Sequence, residues 1–193
     1  MGTVVFLGQN QIKAMPEEFI SWAKSSLPKD VHPQRLESFL LSRLALKDAV
    51  ETQLGHSVPF KKLTLKNFHE LDSIPNMHVS LSHTKDAAIA WVRPRAGFGI
   101  DLERLDREVK DHIWERILSK GDGPTFSRVE LWCLKEAGFK TLYNQGLISG
   151  PIAFQEIDFN SDGTWRWKNI QGEYTLATEL SQWQVAKTWI NKV

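Results

Sequence analysis

Between Leu131 and Leu142 the chain places apolar residues on nearly every face of one helix: Leu131, Trp132, Cys133, Leu134, Ala137, Gly138, Phe139 and Leu142. A helix that is apolar all round belongs inside a protein. This one also carries Lys135, Glu136 and Lys140. Charges held near an interior need partners or a metal, because desolvation costs roughly several kcal/mol per ion. Glu136 and Lys140 stand at i,i+4 and can pair, for about 0.5 kcal/mol. That pair leaves Lys135 unexplained. Gly138, at about 1 kcal/mol against alanine in a helix, suggests close packing against another backbone.

A second block, Gly99-Ile100-Asp101-Leu102-Glu103, reads as a strand. Alternation puts Asp101 and Glu103 on one face and Ile100 and Leu102 on the other. An exposed edge with Arg104 as counter-charge would explain the strand alone. With Glu136, however, the carboxylates make three hard oxygen donors, which suit Mg²⁺ holding a phosphate ester. Lys135 and Lys140 are then placed to neutralise phosphate oxygens. Cys133 is the single cysteine, so neither an internal disulfide nor a cysteine zinc cluster is expected.

The rest of the chain reads as α+β. Strands are expected at Val4–Leu7, around Leu63 and Leu65, at Met77–Leu81, Ala87–Val92 and Phe98–Glu103. Further strands are expected at Ile152–Phe154, Thr164–Trp167, Tyr174–Ala177 and Val185–Ile190. Helices are expected from Pro16 to Trp22, from Pro33 to about Leu54 with Gly55 as cap, and over about Glu108–Leu118 and Arg128–Tyr143. Asp162-Gly163 is a hairpin turn and Gly121-Asp122-Gly123-Pro124 a break. Pro94 to Gly97 is the one seam, dividing the chain into 1–95 and 96–193. With 193 residues, 41% of them hydrophobic, there is material for one core or two small lobes. The formal charge of +1 gives no field for nucleic acid. No run approaches the roughly 20 apolar residues of a membrane span, and Val4 to Leu7 is too short for a signal sequence. A soluble cytoplasmic protein is the expectation.

Ser82-His83 closes a strand beside a tight turn, where a hydroxyl and an imidazole suit a phosphate as well as a plain surface turn. Arg35, Arg43 and Lys47 recur along the second helix, as on any solvated face.

Three segments in order, Ser80-Leu81-Ser82-His83, Gly99-Ile100-Asp101-Leu102-Glu103 and Trp132-Cys133-Leu134-Lys135-Glu136-Ala137-x-x-Lys140, resemble the 4′-phosphopantetheinyl transferase superfamily. The larger monomeric class is the one resembled, over about Arg35 to Leu147. The resemblance implies two similar halves related by pseudo-twofold symmetry. It implies transfer of the phosphopantetheine arm from coenzyme A to a serine of an apo-acyl or peptidyl carrier protein. Asp101, Glu103 and Glu136 would hold Mg²⁺. Glu136 would be the base, Lys140 would stabilise charge on the pyrophosphate, and Lys135 would assist. Ser82 and His83, with Arg43 and then Lys47, would hold coenzyme A phosphates.

Two departures stand out. The interval from Asp101 to Glu136 is short, with only Ile117-Leu118-Ser119-Lys120 in place of a Phe-Ser/Thr-x-x-Glu element. The Gly-Lys-Pro segment before Ser-His is missing, leaving Lys61, Lys62 or Lys66 as substitutes. They motivate an alternative, a degenerate relative that binds coenzyme A or a carrier without catalysis. A Mg²⁺-dependent nuclease is a third reading, which the neutral net charge disfavours.

Overall fold

The computed structural model describes residues 2–8 and 15–191. The chain divides into two compact units, residues 1–95 and 96–193.

The first unit comprises β1 (Thr3–Gly8), α1 (Glu17–Ser25), α2 (Pro33–Leu54), β2 (Leu65–Lys66), β3 (Glu70–Leu71), β4 (His78–His83) and β5 (Ala87–Arg93). Its antiparallel sheet runs β1-β5-β4-β3-β2. Helix α2 starts at Pro33, where a missing N–H costs nothing, and His32 Nδ1 accepts from Gln34 N at 3.3 Å. It stops at Gly55, whose φ of 74° is the left-handed cap that glycine adopts without strain. Between those ends Leu41, Ala45, Leu46, Ala49 and Val50 form the core with Val79, Ala88, Ala90 and Val92 of the sheet. Helix α1 lies on α2 through Phe19, Ala23 and Leu40.

The second unit comprises β6 (Phe98–Arg104), α3 (Asp111–Ile117), α4 (Arg128–Asn144), β7 (Ile157–Phe159), β8 (Thr164–Trp167), β9 (Ile170–Glu179) and β10 (Trp183–Ile190). Its sheet order is β6-β10-β9-β8-β7, again antiparallel. Each unit thus repeats one plan: a strand, two helices, then four strands, with the last strand beside the first. The expected α+β class with two similar halves is what the chain adopts.

Helix α4 opens with a capping box, Ser127 accepting from the Glu130 N–H and the Glu130 carboxylate accepting from the Ser127 N–H. Its buried side packs Leu131, Leu134 and Ala137 with Ile157, Phe159, Trp165 and Trp167.

Two expectations change. Ile152–Phe154 is not a strand; a 3-10 turn at Phe154–Glu156 precedes β7, which starts at Ile157. Register decides this, because Ile157 pairs with Trp167 and Phe159 with Trp165, burying all four under α4. The close backbone approach also lies elsewhere than Gly138, whose missing side chain makes room for the Phe159 ring and Ile157. It is Gly99 that meets a backbone. A Cβ there would collide with the Ala137 carbonyl oxygen and stand 2.7 Å from Thr141 N. Helix α4 therefore rests directly on β6. Gly99→Ala should destabilise the protein by about 1–3 kcal/mol. In thermal unfolding that is about 2–4 °C per kcal/mol, and an unchanged midpoint would show that α4 has slack.

Candidate functional site

The site is built where α4 crosses β6. Gly99, Asp101 and Glu103 share the strand face toward the helix, as alternation requires. Each carboxylate is engaged by it. Asp101, 4% exposed, accepts from Lys140 Nζ at 2.6 Å, and the same ammonium donates to the Ile100 carbonyl at 3.2 Å. Glu103 accepts from the indole N–H of Trp132 at 2.9 Å and forms an ion pair with Arg107. The Arg107 guanidinium also lies 4.5 Å above the Trp132 ring.

Glu136 is half-buried, one helical turn before Lys140. Burial pushes its pKa up. Lys140 and Arg107 pull it down and Asp101 pushes it up further, with burial the largest effect and the net direction upward. Three carboxylates thus face two cations, and the glutamate carries the excess proton affinity. A carboxylate whose charged form is disfavoured is poised to accept a proton.

Cys133 sits behind this cluster with no exposed surface. Burial, then the Asp101 charge, raises its thiol pKa well above the usual value, so it stays a protonated, inert neighbour.

Lys135 is not brought to this cluster. It points to the opposite side of α4, 0% exposed, with Nζ 2.7 Å and 2.9 Å from the two Asp122 carboxylate oxygens and a further bond to the Ile157 carbonyl. Asp122 in turn accepts the Ser119 N–H at 2.7 Å and the Phe159 N–H at 2.9 Å. Burial outweighs Asp122 and lowers the Lys135 pKa. This is an interior tie between α4, the 119–123 loop and β7.

The remaining candidates belong to the first unit. Ser82 and His83 end β4, the serine 8% exposed and the histidine exposed, on opposite faces of the strand. Arg43 lies 4.7 Å above Phe39 and, among the described residues, has no ion pair. Burial alone lowers its pKa to about 10. Lys47 is paired with Glu51 and stands 5.4 Å from the Phe60 ring. Of the two cations, Arg43 is the one suited to receive an outside anion. Arg35 is exposed, as a solvated face predicts.

Residues 97–190, nearly the whole second unit, match the 4′-phosphopantetheinyl transferase superfamily. The second unit therefore carries a domain of that superfamily. No curated protein matches the chain. The superfamily's chemistry, phosphopantetheinyl transfer, therefore attaches to the half that holds Asp101, Glu103, Glu136 and Lys140.

A hard divalent cation fits this donor set by chemistry. In geometry Asp101 is held by Lys140 and Glu103 by Arg107. Among the described residues no group of three His, Cys, Asp or Glu side chains stands at ligand spacing. No helix of the described residues is long and apolar enough to cross a membrane.

Arg107, Trp132 and Asp122 are the residues that sequence reasoning did not assign. Arg107 follows Glu103 by four positions across a turn, and that spacing was its only signal.

Proposed function

We propose that this protein transfers the 4′-phosphopantetheine arm of coenzyme A to a serine of an apo-acyl or peptidyl carrier protein, with Mg²⁺. The observation that carries this reading is the Asp101–Lys140 pair beside a proton-avid Glu136, inside the superfamily-matched unit. Asp101, Glu103 and Glu136 are the residues that would hold Mg²⁺, which when bound supplies charge neutralisation at the pyrophosphate. Glu136 takes the proton of the incoming serine hydroxyl. The serine oxygen bonds the phosphorus bearing pantetheine, and the bond to the departing adenosine 3′,5′-bisphosphate breaks. Lys140 stabilises the charge that develops on the leaving oxygen. Arg43, Ser82 and His83 bind phosphates of the nucleotide end, with Lys47 a weaker contributor because Glu51 holds it. The nucleophile comes from the carrier, so the buried Cys133 has no part to play.

The test is incubation with coenzyme A, Mg²⁺ and apo-carrier proteins, read by intact mass. A phosphopantetheine mass gain on the carrier is expected; no gain on any carrier overturns the reading. A second reading, a relative that binds coenzyme A without turnover, draws on the engagement of Asp101 by Lys140 and of Glu103 by Arg107. Coenzyme A binding by calorimetry with no mass gain would select it. The superfamily match leaves the nuclease reading without support.

A further inference from the structure

The turn that follows β6 carries two arginine–carboxylate pairs, and they are built differently. The Leu105 N–H on the Gln182 carbonyl at 2.9 Å ends the strand, and the Arg107 N–H on the Arg104 carbonyl at 3.1 Å closes the turn. Arg104 grips Asp106 with both arms of its fork, Nε on Oδ1 at 2.8 Å and Nη2 on Oδ2 at 2.9 Å. That two-oxygen grip is a common way for an arginine to hold a carboxylate. Arg107 instead holds Glu103 by one oxygen, Nη1 on Oε1. The indole N–H of Trp132 donates to the same Oε1 at 2.9 Å. Among the described residues no hydrogen bond reaches Oε2. The Glu103 side chain is 15% exposed, and Oε2 keeps its access to solvent.

The Trp132 ring is itself fixed. Phe154 meets it edge-on at a centroid distance of 5.9 Å, and the Arg107 guanidinium lies over it at 4.5 Å. Trp132 stands one helical turn before Glu136 on α4. The helix that carries one candidate ligand therefore also carries the indole that holds another. A carboxylate that binds a cation is characteristically hydrogen-bonded from behind, because that bond sets its direction and stops it swinging. Glu103 has this arrangement, with a neutral N–H and a guanidinium both on Oε1.

We infer that Trp132 is a positioning residue for the divalent cation: with Arg107 it holds Oε1 of Glu103 and so reserves Oε2 for the ion. The inference rests on the Mg²⁺ part of the reading above and deepens it. Arg107 closes one oxygen rather than the whole carboxylate, so its ion pair and the cation share Glu103 instead of competing for it.

Mn²⁺, a hard cation with the same preference for oxygen ligands, is the probe. Its binding to the full chain is read from the electron paramagnetic resonance of the free ion. Trp132→Phe keeps an aromatic ring, changes no charge and removes the N–H. It should weaken Mn²⁺ binding by about tenfold, the lower end for losing a hydrogen bond behind a ligand. In a Glu103→Gln background the same change should do nothing, since the indole acts through that carboxylate. A merely structural role of the ring would cost affinity equally in both backgrounds. Equal Mn²⁺ affinity of Trp132→Phe and the parent overturns the inference. So does an equal loss in both backgrounds, or a parent that binds no Mn²⁺. Hydrogen exchange of the Trp132 indole N–H, followed by NMR in the parent, needs no variant. It should stay slow as Mg²⁺ is added; acceleration by Mg²⁺ means that the ion takes Oε1, which overturns the inference as well. Carrier modification with a Trp132-independent cation site sinks this inference alone. A Trp132-dependent cation site without transfer to any carrier sinks the transferase reading and leaves this inference standing.

Discussion

Glu136→Gln should reduce kcat/KM for phosphopantetheine transfer by at least about 10²-fold, the lower end of what a positioned general base contributes. The loss should fall on kcat, because the substituted amide cannot take the serine proton yet keeps the side chain's shape. The fold should survive and gain slightly. Burial raises the Glu136 pKa. An acid with a raised folded-state pKa contributes stability below its ordinary pKa, and loses that contribution as pH rises through the folded-state value. At neutral pH the ionised side chain is therefore a burden that glutamine removes, and chemical denaturation should give Glu136→Gln a midpoint at or above the parent's. Activity needs the carboxylate, so kcat/KM should fall on the acid side as Glu136 takes up a proton. That fall should vanish in the residual activity of Glu136→Gln. Near-parental turnover by that variant would remove Glu136 from the chemistry.

Much of this site could be read from local patterns. The apolar surround of α4 announced its burial, and Pro33 with Gly55 marked both ends of α2. Alternation in β6 placed Asp101 and Glu103 on one face, the face that meets Lys140, Trp132 and Arg107. What local pattern does not encode is which partner a charge finds across the fold. Lys135 and Lys140 are equivalent as lysines of one buried helix, and only packing sends one to Asp122 and the other to Asp101. Asp122 itself lay inside a Gly-Asp-Gly-Pro stretch that reads as a chain break, although an acid in such a turn ahead of a buried lysine is a usable signal. Ile152 and Phe154 alternate like a strand, but the tryptophans of β8 select Ile157 and Phe159 as partners instead.

Asp122→Ala should be among the most destabilising single changes in the second unit, by about 3–5 kcal/mol, because it strands a buried ammonium. The loss is asymmetric across the pair. Without Asp122, Lys135 keeps the Ile157 carbonyl, the Phe159 ring 5.7 Å away and the more distant Asp158 charge, and the Ser119 and Phe159 N–H groups lose their acceptor. Without Lys135, the carboxylate still accepts both backbone N–H groups, so Lys135→Met should cost less. Asp122→Asn combined with Lys135→Met should recover part of the deficit, since removing both charges removes the desolvation cost along with the attraction. The pH response gives an independent check. Burial already lowers the Lys135 pKa, and losing Asp122 lowers it further. A base with a lowered folded-state pKa favours folding more as pH rises through that value toward its unfolded one. The stability gap between Asp122→Ala and the parent should therefore narrow from about pH 7 to about pH 10. Activity then separates the two lysines. Folded Lys135→Met should transfer phosphopantetheine at close to the parental kcat/KM, whereas Lys140→Met should lose most of it. A Lys135→Met protein that folds well but fails in kcat would return that lysine to the reacting groups.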